Sequence, residues 1–260
     1  MTKCLILAAG QGTRLGQMTA DKPKCMVPIF GVPIIQRQAE TLKLAGIEDI
    51  SVATGYKASM VDSLGFFTHY NPNYKNTNMV SSMFVARQLF ENNTEDLIIS
   101  YGDIIYQQKN LKQVLECKSE VCIMVDLEWK KLWDKRFSDP LSDAESMKFD
   151  KEHNISELGK KTSNYDDAQG QYTGLIKFRK DILKKVLEYY EKLQNSKTFL
   201  KKEIDNMYLT DFIQILIGNR MEVKAVTVRS GWLEIDTFND IQVYEEMKKN
   251  GQINEFFRED

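Results

Sequence analysis

Leu7-Ala8-Ala9-Gly10-Gln11-Gly12-Thr13-Arg14-Leu15-Gly16, closely followed by Asp21-Lys22-Pro23-Lys24, is the stretch on which the reading of this chain turns. It continues a short apolar run, Cys4-Leu5-Ile6-Leu7-Ala8-Ala9, that ends in glycine as a buried strand entering a loop does. Glycines let the backbone curl so that several N–H groups converge on one anion, and Arg14 adds a fixed cationic fork. The loop is not a P-loop, since GxxxxGK[ST] is absent, and Leu15 occupies the place of the last glycine in GxGxxG. A glycine-rich turn of this kind is often only structural. The next element decides: Pro23 stiffens a segment carrying two ammonium groups just after the anion-cradling loop. Backbone donors, one Arg and at least one Lys together make a polyphosphate site.

Outward from this loop, strand and helix signals alternate. Pro33 opens a helical stretch to about residue 45, stopped by Gly46. Residues 50–53 read as a strand, 58–64 as a helix and 66–70 as a strand ended by Asn71-Pro72. Residues 78–90 read as one helix, 96–100 as a strand, 111–117 as a helix and 121–125 as a strand. This alternation predicts an α/β fold: a three-layer α/β/α Rossmann-like architecture with a mostly parallel mixed sheet, whose ligands bind beyond the carboxyl ends of the strands. Residues 128–146 are charged and carry Trp129, Trp133 and Pro140; residues 148–170 are polar, with only short extended pieces. A strand at 172–178, helices at 181–193 and 209–217, a strand at 222–228 and a helix at 238–249 complete the chain. The expected organisation is one domain over 1–260. Residues 1–126 form its nucleotide-binding half, 127–236 a small inserted acceptor-binding lobe with a metal strand, and 237–260 a C-terminal helix.

Composition narrows the function classes. A net charge of −2 gives no basis for binding nucleic acid or an anionic membrane. No apolar run approaches the roughly 20 residues needed to span a bilayer. The start MTKCLILAAG turns straight into glycine-rich sequence and is not a signal peptide, so a cytoplasmic location is expected. The four cysteines, Cys4, Cys25, Cys117 and Cys122, form no CxxC pair, and the only histidines are His69 and His153. A structural zinc site, a disulfide and a hydrolase triad are therefore not expected, and the cysteines read as small buried hydrophobes.

LAAGxGxRL followed by a Pro-Lys pair resembles the signature of the nucleotidyltransferases that make nucleotide-activated sugars and small alcohols. The likeness continues through Val52-Ala53-Thr54-Gly55-Tyr56, Tyr101-Gly102-Asp103, Leu158-Gly159-Lys160-Lys161, Tyr172-Thr173-Gly174 and Trp232-Leu233-Glu234-Ile235-Asp236-Thr237, so it covers nearly the whole chain. The closing Trp-x-Glu-Ile-Asp-Thr and the short length are similar to the cytidylyltransferase branch that activates phosphocholine or alkylphosphonates. A related enzyme that activates phosphoglutamine for capsule decoration is a further candidate, on the whole-chain likeness alone. The resemblance implies nucleotide contacts at Leu7, Ala8, Ala9, Gly10, Gly12, Thr13, Arg14, Lys24, Thr54, Gly55 and Gly102. Asn78, Ser81 and Ser82 share one helix face by their i, i+3 and i+4 spacing, and in the family this region lies beside the base. An N-cap with solvated serines is the other reading of that trio.

The family's metal pair falls on Asp103 and Asp236, and Mg²⁺ is the implied cofactor, held by one or two carboxylates with phosphate oxygens and water. Taken alone, Asp103 could be a turn former and Asp236 a cap for the helix near Phe238. Glycosyltransferases of similar fold carry Asp-x-Asp at this place, whereas Asp103-Ile104-Ile105 has no second acid. Trp129 and Trp133 stand at i, i+4, with Tyr106, Tyr172 and Trp232 as further aromatics that could hold a quaternary ammonium, or simply pack. Asp126 and Glu128 could bind an amino group instead. Lys160 or Lys161 resembles the lysine that meets the acceptor phosphate, and Glu234 belongs to the same acceptor set.

The implied reaction is attack of an acceptor phosphate or phosphonate oxygen on the α-phosphorus of CTP, releasing pyrophosphate. Such an acceptor is ionised near pH 7, so no general base is needed; Arg14 and Lys24 would hold the departing phosphates. CTP and a small phosphorylated acceptor are the expected partners, with a homodimer compatible. A sugar-1-phosphate nucleotidyltransferase using UTP or dTTP is the alternative, and a non-catalytic nucleotide-binding sensor a third class. As a phosphate ligand in crowded positive charge, Lys24 should be removable without loss of ligand-free stability.

Overall fold

The computed structural model describes residues 2–91, 94–196 and 199–259. The first strand, β1 (Thr2–Ala8), is buried from Cys4 onward. Cys4, Ile6 and Ala8 point into one core while Leu5 and Leu7 point into another, as the two-residue period of a strand requires. That split already implies helices on both faces. Beyond the glycine loop come β2 (Pro28–Ile29), β3 (Val32–Pro33), α1 (Ile34–Leu44), β4 (Ile50–Thr54), α2 (Ala58–Asp62) and β5 (Phe67–Tyr70). Next are α3 (Met79–Phe84), α4 (Gln88–Glu91), β6 (Asp96–Tyr101), β7 (Ile104–Tyr106), α5 (Gln108–Glu116) and β8 (Val121–Asp126). The charged middle holds α6 (Trp129–Arg136), β9 (Glu145–Phe149) and β10 (Ile155–Lys161). The remainder comprises β11 (Gln171–Phe178), α7 (Leu183–Gln194), α8 (Lys201–Asp205), α9 (Leu209–Gly218), β12 (Val223–Val228), β13 (Trp232–Glu234) and α10 (Phe238–Lys249).

Seven strands form the main sheet in the order β12-β8-β11-β6-β1-β4-β5. All pairs are parallel except those of β11, which runs against both β6 and β8. Apolar faces of α1, α5, α6 and α10 cover one side, and those of α3, α4, α7 and α9 cover the other. The fold is thus the expected three-layer α/β arrangement with a mostly parallel mixed sheet. Chain order places β4 on one side of β1 and β6 on the other, with Leu7 opposite Ala53 and Tyr101. The topological switch at the carboxyl ends of β1 and β6 opens the crevice where such sheets bind ligands. The glycine loop leaves one of these ends and the Gly102-Asp103 turn leaves the other.

Three expectations change. The single helix over 78–90 is broken into α3 and α4, where i→i+3 bonds from Ala86 N to Met83 O and Leu89 N to Ala86 O tighten the backbone. The stretch 127–236 is not one lobe: β9 and β10 form a separate antiparallel pair, while β11 and β12 rejoin the main sheet. Finally, Cys117 and Cys122 are joined in a disulfide, against the expectation that all four cysteines stay single. The chain turns back between α5 and β8, which brings residues five apart in sequence to a Cα separation of 6.3 Å, a reversal that no CxxC rule detects. Cys4 and Cys25 are free and buried, as expected. Among the described residues no helix is long and apolar enough to cross a membrane.

Candidate active site

The glycine loop is anchored at several points. Leu15 is buried, Thr19 Oγ1 donates to Gly12 O at 3.0 Å, and Tyr56 N donates to Ala9 O at 3.0 Å. Gly12 takes a left-handed φ of 74°, and a Cβ there would lie 2.8 Å from Lys24 Cβ. Only glycine therefore lets the loop pass so close to the stem of Lys24. Pro23, extended at φ −69° and ψ 156°, directs the chain into the short turn that begins at Lys24.

That stem carries an ammonium to the centre of the crevice. Lys24 Nζ lies 2.7 Å from Asp103 Oδ2 and 2.7 Å from Asp236 Oδ1. Asp103 arrives from the turn between β6 and β7; Asp236 follows β13, which pairs with β7 and brings the two acids side by side. Ile235 N closes the arrangement on Asp103 O at 2.8 Å. Arg14 adds an ion pair to the other oxygen of Asp236. Burial alone would depress the Lys24 ammonium, yet Asp103 and Asp236 hold it above the ordinary lysine range. Lys24 was expected in crowded positive charge; its ammonium is instead matched by two carboxylates, so the expectation that it could be removed at no cost to stability is reversed. Nor does Asp236 cap the last helix. Thr237 is the N-cap of α10, with Asp240 completing a capping box.

Two carboxylate oxygens meeting at one cation position suit a hard divalent ion, which takes few protein oxygens and completes its shell with phosphate and water. Asp103 Oδ1 is buried without a partner, leaving acceptor capacity at that point. The residues present therefore fit such an ion, with the Lys24 ammonium as its stand-in. Among the described residues no group of three or more His, Cys, Asp or Glu is arranged to hold a metal without such outside ligands.

Two cavities meet at this centre. The larger, of about 320 Å³, is lined by the loop residues Leu7 to Ala9, Gly10, Gly12, Thr13 and Arg14, with Lys24, Asn78, Ser82, Gly102 and both aspartates. The smaller, of about 150 Å³, shares Arg14, Met79 and Asp236 with the first and is also lined by Asp143, Glu145, Gln171, Tyr172, Tyr208, Thr210 and Glu234. Its acids are crowded. Burial, reinforced by Asp143, Asp211 and Glu234, pushes the Glu145 carboxyl up to about 7. Burial likewise raises Asp143, and it lifts Glu234 to about 7 against the opposing charge of Arg136. Gln171 Oε1 is buried without a partner. Arg14 is the single cation among the described residues lining this cavity. Four carboxylates and one guanidinium thus line this cavity and give it an acidic character.

The other expected positions fall into three groups. Thr54 and Gly55 lie behind the glycine loop: Thr54 is buried, and a Cβ on Gly55 would meet Ala9 O at 2.6 Å. Asn78 lines the larger cavity but is also the N-cap of α3, with its amide turned to Asn206 O at 3.3 Å. Ser82 accepts from Asn71 Nδ2 at 3.0 Å, whereas Ser81 turns away toward Asp205 O at 3.5 Å. The third group is not brought to either cavity. Tyr106, Trp129, Trp133 and Trp232 are core residues, the latter three packed ring against ring. Trp129 Nε1 donates to Ala168 O at 3.2 Å, so the i, i+4 pairing reflects packing on one helix face. Asp126 is buried and taken up by Ser230 N, Glu128 N and Trp232 Nε1, each at 2.9 Å. Lys160 is exposed and ion-paired with Glu157, and Lys161 is exposed at the end of β10. Tyr74, Thr77, Met79, Asp143, Glu145, Gln171, Tyr208 and Thr210 line the cavities without having been singled out. Asp143 and Glu145 fall in the charged stretch 128–146, which marks out no individual acid.

With this geometry in view, residues 4–205 match the model of the MobA-like NTP transferase domain. The chain is 42% identical over 249 residues to the CTP:phosphoglutamine cytidylyltransferase of Campylobacter jejuni, covering 92% of this chain and 97% of that one. Its structure resembles the CTP:phosphocholine cytidylyltransferase of Streptococcus pneumoniae, with a TM-score of 0.74, 19% identity and coverage of 95% and 99% of the two chains. It also resembles the inositol-1-phosphate CTP transferase of T. maritima, with a TM-score of 0.70, 22% identity and coverage of 99% and 98%. At such identities the two structures speak for the fold.

Proposed function

Since the chain belongs to the MobA-like NTP transferase family and is a nucleotidyltransferase, we propose that it joins the cytidylyl group of CTP to a small phosphate or phosphonate acceptor that also carries an ammonium. The observation that carries this reading is the meeting of two cavities at the Lys24–Asp103–Asp236 centre. Phosphoglutamine is the favoured acceptor, on the similarity to the Campylobacter jejuni enzyme; phosphocholine and aminoethylphosphonate share its combination of anion and cation.

In this reading the triphosphate lies along the glycine loop in the larger cavity, with Arg14 and Lys24 as its cations. Mg²⁺, bound between Asp103 and Asp236, would supply charge neutralisation at the phosphate oxygens. The acceptor lies in the smaller cavity. Arg14, which lines both cavities, draws the acceptor's phosphate toward the junction, while Asp143 and Glu145 hold its ammonium. An acceptor phosphate brings its own negative oxygen, so the attack requires no proton removal by a side chain. The chain contributes alignment of the two substrates and stabilisation of the departing pyrophosphate.

Pyrophosphate release with CTP, UTP, dTTP and GTP, each against phosphoglutamine, phosphocholine, aminoethylphosphonate and glucose 1-phosphate, tests the reading. Preference for CTP with an ammonium-bearing acceptor supports it. Preference for UTP or dTTP with the sugar phosphate would move the chain to the sugar-nucleotide branch.

A further inference from the structure

Asp103 owes its place to a turn, and the turn is held from behind. Gln38 sits on α1, is 1% exposed, and lines neither of the two cavities. Its Nε2 donates to Tyr101 O at 2.7 Å and also to Ile104 O. These carbonyls flank Gly102-Asp103 on either side, so one amide closes both ends of the two-residue segment that presents the carboxylate. The front of the segment is fixed independently, by Gly102 N on Leu7 O at 2.9 Å.

The same amide is poorly served in return. Gln38 Oε1 is buried and has no partner, while the surroundings of α1 are apolar, with Ile34, Ile35 and Leu42 in the same core. Leu or Met would fill the volume and spare the unpaired Oε1, though it would leave the Tyr101 and Ile104 carbonyls without this donor, so apolar packing alone does not call for glutamine here. What glutamine alone supplies is a pair of hydrogens reaching two carbonyls three residues apart. On the reading of Asp103 as a metal ligand, we infer that Gln38 is a positioning residue, which sets the height and direction of the Asp103 carboxylate relative to Asp236. Divalent sites depend on such outer partners, whose loss typically costs about 10- to 100-fold in metal affinity or activity. Mg²⁺, which demands near-ideal geometry, is the ion most sensitive to a displaced ligand.

Gln38→Met keeps the volume and removes both hydrogens. Gln38→Asn, which retains an amide too short to span both carbonyls, replaces it should the methionine variant not fold. Urea midpoints are taken first. Mn²⁺ binding is then followed by electron paramagnetic resonance in the presence of CTP without acceptor, and turnover is titrated with Mg²⁺. The expected result is a rise of about tenfold or more in the Mn²⁺ dissociation constant and the Mg²⁺ activation constant, with KM for CTP at saturating metal within about threefold of wild type. Metal constants equal to wild type in either folded variant would overturn the assignment. Asp103→Asn, measured alongside, separates the two levels. If it leaves Mn²⁺ binding intact, the metal reading itself fails; if it abolishes binding while the Gln38 variants do not disturb it, only the role of Gln38 fails.

Discussion

Replacing Lys24 by alanine leaves Asp103 and Asp236 facing each other with the counter-ion between them gone. The Lys24 side chain is 13% exposed and the two aspartates 19% and 12%, so the three charges are largely but not wholly shielded from water. A hydrogen bond to a charged group contributes about 1.5–3 kcal/mol, and breaking a buried ion pair costs about 3–5 kcal/mol. Residual water access and the remaining pair of Arg14 with Asp236 offset part of this, so a loss of about 2–3 kcal/mol is expected. In a chain of this size that corresponds to a fall in Tm of roughly 4–12 °C. The assay is thermal and urea unfolding at pH 7.5 with EDTA, followed by titration with Mg²⁺. The ion should restore much of the variant's stability and do little for wild type, where Lys24 already neutralises the carboxylates. Lys24 is held above the ordinary lysine range, so its contribution is complete below the unfolded-state value and is lost only as pH rises through the higher folded one. The deficit should therefore be flat between pH 7 and 9. A variant that melts in EDTA at or above the wild-type temperature would refute the reasoning.

Glu145→Gln should raise KM for an ammonium-bearing acceptor about 10- to 100-fold, the equivalent of one charge-assisted hydrogen bond, with KM for CTP little changed. Because Glu145 is pushed up to about 7, binding of the acceptor's ammonium must draw off its proton, so acceptor affinity should improve as pH rises through that value and lose this dependence in the variant. The same raised carboxyl favours the folded state below its unfolded value near 4.5 and gives up that advantage as pH climbs to about 7; the glutamine variant should be the more stable protein at pH 8, read from urea midpoints. If the site hydrogen-bonds the cytosine edge, CTP should exceed UTP by on the order of a hundredfold in kcat/KM, and equal values would remove CTP specificity.

The layering and the site differed in how far they could be read from the chain. β1 announces itself because it is apolar without interruption from Cys4 onward and runs into glycines, and α10 because its pattern runs from Phe238 to Lys249 as observed. β9 and β10 are a polar antiparallel pair outside the main sheet; with one face in water they lack the continuous apolar run of a central strand. β13 has only three residues, and its partner β7 lies more than a hundred positions away, so nothing local marks it. The glycine loop, Lys24, Asp103 and Asp236 were legible because a motif carries them, and they converge in space. What the motif could not convey was charge pairing: that Lys24 rests on the two aspartates depends on a contact across 212 residues. Aromatic spacing misled for a physical reason, since Trp129 and Trp133 share a helix face turned inward to Trp232. Asp143 and Glu145 escaped notice because an acid in a charged stretch reads as solvated until burial is known.

The most direct measurement is phosphorus-31 magnetic resonance of the protein with CTP, Mg²⁺ and phosphoglutamine. The expected outcome is a pair of coupled resonances from a new linkage between the α-phosphorus of CTP and the acceptor phosphorus, growing in step with pyrophosphate and absent when the acceptor is withheld. Linkage formed only from UTP or dTTP and a sugar phosphate, or pyrophosphate released at the same rate without any acceptor, would contradict cytidylyl transfer as the function of this chain.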